Sequence, residues 1–144
     1  LTVQKAITSE IRKDALKIRR NVFIEEQGID PELEWDEFDN VNSATMFVDY
    51  ANDGTAIATG RFRMTDGYGK VERICTLKAA RGLGAGRRIM EAIEHEARLQ
   101  GILKLKLGAQ VTAIPFYEKL GYQIASELFD DAGIPHRLME KTLK

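Results

Sequence analysis

Cysteine is almost absent from this chain of 144 residues, Cys75 being the only one. Without a partner it rules out a disulfide framework and a cysteine-based zinc site. Histidine is nearly as scarce, and His95 and His136 stand too far apart in sequence to suggest a metal-binding pair, so no metal is expected. No apolar run approaches the roughly 18 residues of a membrane helix. The N-terminal stretch also lacks the basic-then-apolar pattern of a secretory signal, so a cytoplasmic address with no membrane partner is expected. Net charge is lacking too: 21 Lys and Arg stand against 22 Asp and Glu. Nucleic-acid binders carry a basic face or stripe, and no nucleic-acid partner is expected here. With three prolines and no linker or low-complexity tract, one domain over residues 1–144 is expected. A chain of this length buries roughly 68–70% of its unfolded surface and needs no covalent staple.

What charge there is lies unevenly. Glu25, Glu26, Asp30, Glu32, Glu34, Asp36, Glu37 and Asp39 follow one another with no Lys or Arg between them, a run that would attract a cation. Lys78, Arg81, Arg87 and Arg88 form the opposite patch, which would attract an anion. A plain solvated face is the alternative for each.

Thr2 to Ile7 reads as a strand, and Thr8 or Ser9 caps a helix with Ile11, Ala15, Ile18 and Val22 at helical spacing. Gly28 and Pro31 end it, and Asp30 to Asn42 reads as an irregular or short helical connection anchored by Trp35 and Phe38. Ala44 to Ala51 and Thr55 to Thr65 flank the turn Asn52-Asp53-Gly54, and Asp66-Gly67-Tyr68-Gly69 leads into a strand from Lys70 to Leu77. A helix to about Gln100 follows, then a strand Ile102 to Leu107 and a helix Thr112 to Leu120 closed by Gly121. Two last strands, Tyr122 to Phe129 and His136 to Leu143, complete an α+β fold with a mixed, mostly antiparallel sheet and helices on its faces.

Between strand and helix stands Gly82-Leu83-Gly84-Ala85-Gly86, where close glycines let backbone N–H groups wrap an anion and the helix dipole adds to them. The spacing is G-x-G-x-G, not the G-x-G-x-x-G of dinucleotide folds, and no G-K-S/T follows as in nucleotide hydrolases. Arg81-x-x-Gly84-x-Gly86 resembles the pyrophosphate signature Q/R-x-x-G-x-G/A of the GNAT superfamily, the acyl-CoA-dependent N-acyltransferases. Ala113-Ile114-Pro115-Phe116-Tyr117-Glu118-Lys119-Leu120-Gly121-Tyr122 is similar to its second segment, A-x-x-F-Y-x-x-x-G-F/Y. Glu72 to Leu77 resembles the family's fourth strand, and the element order matches over essentially the whole chain. Arg20 to Gln27, with Gly133-Ile134-Pro135-His136, further resembles a small bacterial branch.

The resemblance implies an acetyl-CoA-dependent N-acetyltransferase acting directly on a primary amine. It puts the CoA pyrophosphate on the amides of Arg81, Gly82, Leu83, Gly84, Ala85 and Gly86. The pantetheine arm would lie beside Ile74, Cys75, Thr76 and Leu77, with Gln110, Phe116 and Tyr117 also on the cofactor. Gln110 stands where the family often has Asn. A backbone N–H near Cys75 would bond the thioester carbonyl. Tyr117 stands at the general-acid position, and Cys75 reads as a small buried hydrophobe, since direct transfer needs no acyl-enzyme. For the base, Glu72, Glu26, His136 and a water chain stay open. Glu26, Gln27 and His136 are candidates for the acceptor pocket, whose small cationic amine the acidic run would suit. His95, between Glu94 and Glu96, reads as a surface residue. A sensor that binds acyl-CoA without turnover and an interaction domain that kept only the fold are the competing readings. Homodimers are common in such folds by the same resemblance, and monomer and dimer stay open.

Overall fold

The computed structural model describes residues 2–40 and 43–144, so Leu1 and the end of the Asp30 to Asn42 connection lie outside the described residues. β1 (Thr2–Lys5) leads to α1 (Ser9–Arg19), whose N-cap Thr8 accepts from Ile11 N–H at 3.2 Å. Glu10 in its first turn and Lys17 and Arg19 in its last complement the helix dipole. The helix does not simply run on through Val22 and Ile24 as the spacing suggests. It widens into a π-helix over Arg20–Glu26, with Gln27 N–H reaching back five residues to Val22 O at 3.0 Å, and Gly28 ends it at φ +71°. The wider turn keeps Val22 and Phe23 both buried against the sheet.

α2 (Pro31–Glu34) and a 3-10 turn (Glu37–Asp39) form the acidic connection, and Trp35 and Phe38 are half-buried there. Trp35 lies beneath the guanidinium groups of Arg19 and Arg20, and Phe38 beneath Arg63 at 3.9 Å. β2 (Thr45–Tyr50), β3 (Ala56–Thr65) and β4 (Tyr68–Thr76) make the expected antiparallel meander. Asp66 and Gly67, both at positive φ, supply the tight turn between the last two. α3 (Ala85–Leu99) returns the chain to β5 (Lys104–Gln110), which runs three residues further than the alternation Ile102 to Leu107 indicates. The extension pairs with β8 (Ile134–Thr142) as far as Gln110 opposite His136.

α4 (Ile114–Lys119) closes as expected: Gly121 sits at φ +96°, with Tyr122 N–H on Tyr117 O and Gly121 N–H on Glu118 O. The strand read from Tyr122 to Phe129 is two strands, β6 (Gln123–Ile124) and β7 (Phe129–Asp131), both on β8. Ser126 breaks them apart, because its hydroxyl takes the Leu138 N–H at 2.7 Å that a continuous ladder would have used.

The sheet order is β1-β2-β3-β4-β5-β8-β6, with β7 also on β8, and β4 with β5 is the parallel pair. Alternation sorts the core onto two faces. Phe47 joins Ile89, Met90 and Ile93 of α3, whereas Met46 and Val48 join Ala15 and Ile18 of α1.

Candidate active site

The parallel pair β4–β5 holds register only at Gly69↔Leu105, Lys70↔Lys106 and Val71↔Leu107. Beyond Val71 the strands diverge, for β4 carries a bulge there. Thr59 faces Cys75 and Arg61 faces Glu72, so Arg73 and Ile74 together oppose Gly60, with Arg73 at φ +60°. Gly60 fits closely at this point, since a Cβ on it would lie 2.3 Å from Ile74 Cδ1 and 2.8 Å from Ile89 Cγ2 and would force those side chains to shift. The divergence opens a cleft of about 870 Å³.

One end of the cleft is the glycine turn. Gly82 and Gly84 both take φ +83°, a conformation a side chain disfavours. Arg88 N–H makes the first helical bond of α3, to Gly84 O at 3.0 Å, and the amides of residues 82–87 donate to no backbone carbonyl among the described residues. Six free donors at a helix N-terminus are chemically suited to a diphosphate. Phe116 of α4 packs on the same turn, its Cζ 3.2 Å from where a Cβ on Gly86 would stand. Arg81 lines the cleft, but its guanidinium is clasped by both carboxylate oxygens of Glu26, at 2.6 and 2.7 Å, and its Nε donates to Thr76 O.

The middle of the cleft is formed by Ile74, Cys75 and Thr76 on β4 and by Gln110, Phe116 and Tyr117 across from them. Tyr117 is buried, and its hydroxyl has no hydrogen-bond partner among the described residues. Burial, and then the nearness of Cys75, pushes its phenol above the usual range, so it keeps its proton at neutral pH. Burial likewise pushes the Cys75 thiol well up, which leaves no thiolate there for a covalent step. Gln110 and Gln27 exchange amide hydrogen bonds across the mouth, at 2.9 and 3.3 Å.

At the far end stand Ile29, Leu33, Glu72, Phe129, His136 and Leu138. His136 stacks on Phe129, and its Nδ1 lies 2.7 Å from Ile134 O. A carbonyl only accepts, so Nδ1 carries the hydrogen, and in the neutral ring Nε2 holds the lone pair. Glu72 is differently placed. Burial raises its carboxyl, but the Arg63 hydrogen bond and the charges of Arg61, Arg63 and Lys70 outweigh it, and the group ends below its usual range.

Three sequence expectations meet a different geometry. Leu77 and Leu83 do not line the cleft; Leu83 projects into solvent at 64% exposure. Glu26 sits outside it as well, in a shallow depression with Leu77 and Lys78, because Arg81 holds it there. The inner members of the acidic run are already neutralised, which leaves any pull on a cation to its exposed members Glu25, Asp30, Glu32 and Glu37. Arg19, 1% exposed, binds Glu34 and Asp39, while Arg61, equally buried, binds Asp36 at 2.6 and 2.8 Å, Asp39 at 2.6 Å and Glu72 at 3.1 Å. Arg73 adds Glu34 and Asp36 from the bulge. This network ties the connection 31–39 to the sheet as one wall of the cleft, through partners that no local sequence pattern marks. His95 is exposed, as expected.

The sequence profile of the acetyltransferase (GNAT) domain matches residues 12–143. The chain belongs to the GNAT acetyltransferases. The N-acetyltransferase YjcF of Bacillus subtilis, itself uncharacterised, is 44% identical over 137 residues, covering 94% of this chain and 96% of YjcF. The crystal structure of a Lactobacillus plantarum protein assigned to the N-acetyltransferases superposes with a TM-score of 0.91 at 31% identity, over 99% of this chain and 98% of that one. An acyl-CoA N-acyltransferase from Pseudomonas aeruginosa follows at 0.84 and 26% identity, over 98% and 99%. GNAT enzymes move an acyl group from acyl-CoA, and the free amides of residues 82–87 fit the diphosphate of that donor. Among the described residues no group of side chains is arranged to hold a metal ion, and no helix is long and apolar enough to cross a membrane.

Proposed function

We propose that this GNAT protein transfers the acetyl group of acetyl-CoA directly to a primary amine of a small molecule, working as a single domain over 1–144 in the cytoplasm. The observation that carries the reading is that five residues with free amides, Gly82, Gly84, Ala85, Gly86 and Arg87, line the same cleft as the unpartnered phenol of Tyr117. The amine nitrogen bonds to the thioester carbonyl carbon, the carbon–sulfur bond breaks, and the nitrogen loses a proton while the sulfur gains one. Tyr117 supplies the sulfur's proton. Its raised pKa is matched by the surroundings, because the same desolvation that burdens a phenolate burdens a thiolate leaving beside it. An amide on the unpaired edge of β4, near Cys75, bonds the carbonyl oxygen as charge gathers on it.

His136 is the better supported base. Its Nε2 is the free nitrogen, whereas Glu72 is held as a weakly basic carboxylate by three cations. Gln27 and His136 serve the acceptor, and Leu33, Phe129 and Leu138 give that end apolar walls. With Glu34, Asp36 and Asp39 internally neutralised, affinity for a strongly cationic acceptor draws no support from those three carboxylates.

The test is acetyl-CoA-dependent release of CoA with a panel of polyamines, amino sugars, amino acids and basic peptides, run alongside Tyr117→Phe. Release with one amine class, falling about 10²- to 10⁴-fold in kcat in the variant while acetyl-CoA affinity holds, is the expected outcome. An unchanged kcat would remove Tyr117 from the chemistry. Silence across the panel despite saturable binding of acetyl-CoA would count against a small amine as acceptor.

A further inference from the structure

Asp49 is a carboxylate at 0% exposure following the apolar run Met46-Phe47-Val48, on the sheet face that α3 covers. Its ion-pair partner is Arg88 in the first turn of α3, whose Nε donates to Oδ2 at 2.9 Å. The same guanidinium reaches the other way: Nη1 donates to Leu83 O at 3.0 Å, in the middle of the glycine turn. Among the described residues Asp49 Oδ1 and Arg88 Nη2 are buried without a hydrogen-bond partner. A pair that leaves two polar atoms orphaned in the core is costly as a stability device, which points to some other use.

That use follows from the planarity of the peptide bond. Leu83 C=O and Gly84 N–H belong to one trans peptide, so they point in opposite directions. Drawing the carbonyl down onto Arg88 turns the Gly84 amide the other way, and Gly84 lines the cleft whereas Leu83 does not. Gly84 at φ +83° is the residue that lets the chain make this rotation, and Arg88 Nη1 stands 3.1 Å from where its Cβ would be. Asp49 in turn fixes the guanidinium from below and balances its charge, so the pair acts by orientation and not by adding a positive field.

We propose that Asp49 and Arg88 are positioning residues that set the Gly84 N–H toward the diphosphate of the acyl donor. The assignment rests on acyl-CoA binding by this cleft. It makes Arg88, one of the four basic residues of the patch, a part of the loop's scaffold and not a direct ligand of the anion.

The experiment measures CoA dissociation constants by calorimetry and CoA-induced amide shifts by NMR, for the wild-type chain and for Asp49→Asn, Arg88→Met and Arg88→Lys. In the wild type the Gly84 amide proton moves downfield on CoA binding. In Arg88→Met that shift is largely lost and CoA binds about tenfold more weakly, the weight of one charge-assisted hydrogen bond. Arg88→Lys keeps the charge but cannot fork to both partners, so it behaves like Arg88→Met. Asp49→Asn combined with Arg88→Met costs no more CoA affinity than Arg88→Met alone, since both act through one contact. A normal Gly84 shift in Arg88→Met, or full CoA affinity in Arg88→Lys, overturns the proposal. Should the wild-type chain itself fail to bind CoA, the acyl-donor reading of the cleft falls instead. Asp49→Asn is nearly isosteric, and its spectrum separates a folded protein with a misdirected amide from one that has unfolded.

Discussion

Arg61→Met tests the buried ion network most directly. Methionine keeps much of the length of the side chain and removes the cation, leaving Asp36, Asp39 and Glu72 to face one another. None is left wholly alone: Asp39 keeps Arg19, Asp36 keeps Arg73 at 3.3 Å, and Glu72 keeps Arg63 at 3.0 Å. Removing one partner of a buried ion pair costs about 3–5 kcal/mol, and the surviving contacts argue for the lower end, about 3 kcal/mol. For a chain of this size that is a drop in Tm of about 10 °C. The cost depends on pH in a defined direction. In each of Asp36, Asp39 and Glu72 burial raises the carboxyl, yet arginine hydrogen bonds and charges outweigh it and hold the group below its usual range. Their contribution to stability is therefore present above the unfolded pKa values of about 4 and is lost as pH falls through the folded ones. Without Arg61 the depression is smaller, so the stabilities of wild type and variant converge in acid. Urea unfolding at pH 7 and at about pH 3.5, with matched m-values, reads both numbers. A cost under about 1 kcal/mol at pH 7, or a cost that does not shrink in acid, would refute the reasoning.

Other consequences are narrower. Gly60→Ala drives a methyl into Ile74 and Ile89 at the bulge and is expected to cost about 1–3 kcal/mol in urea unfolding, while Gly54→Ala, with open space around it, costs only its backbone strain. Glu26→Gln frees Arg81, so CoA affinity is expected to rise a few-fold at low ionic strength. Both partners are largely solvated, and the gain should vanish in high salt. The wild-type chain should lose stability steeply below about pH 4, as the carboxylates facing Arg19 and Arg61 protonate. Glu34, whose pKa burial raises against the pull of Arg19, works in the opposite sense: its contribution grows as pH falls toward the unfolded value of about 4 and is level below it, as Glu34→Gln would show.

Much of the cleft was legible because its parts are local. The glycine turn, the Phe116-Tyr117 pair and the closing Gly121 each lie within a few residues, where turn chemistry and helix capping act; Gly82, Gly84, Gly86, Phe116 and Tyr117 line the cleft, and Gly121 closes α4 at positive φ. Where the sequence misled, the deciding partner was distant. The acidic run looked free because Arg61 lies 22 and 25 residues beyond Asp39 and Asp36, and Arg73 lies 37 residues beyond Asp36, on strands that only the folded sheet brings alongside. Glu26 looked like an acceptor ligand until Arg81, 55 residues on, claimed it. The π-helix was hidden because Val22, Phe23 and Ile24 fit either helical period, and the break in the last hairpin because one serine hydroxyl outbid a ladder bond. Asp49 was the one distant partner with a visible mark: a lone carboxylate amid Met46, Phe47 and Val48 announces a buried cation somewhere opposite.

β8 is flanked on both edges, by β5 along one side and by β6 and β7 along the other, and its Met139 is wholly enclosed. Until residues 134–142 have been made and docked, β5 presents seven residues of unpaired ladder next to an open wedge. A chain in which β8 has yet to dock has a ready template for a neighbouring copy, and its yield on folding would be governed by how fast one late strand arrives as much as by the stability of the finished protein.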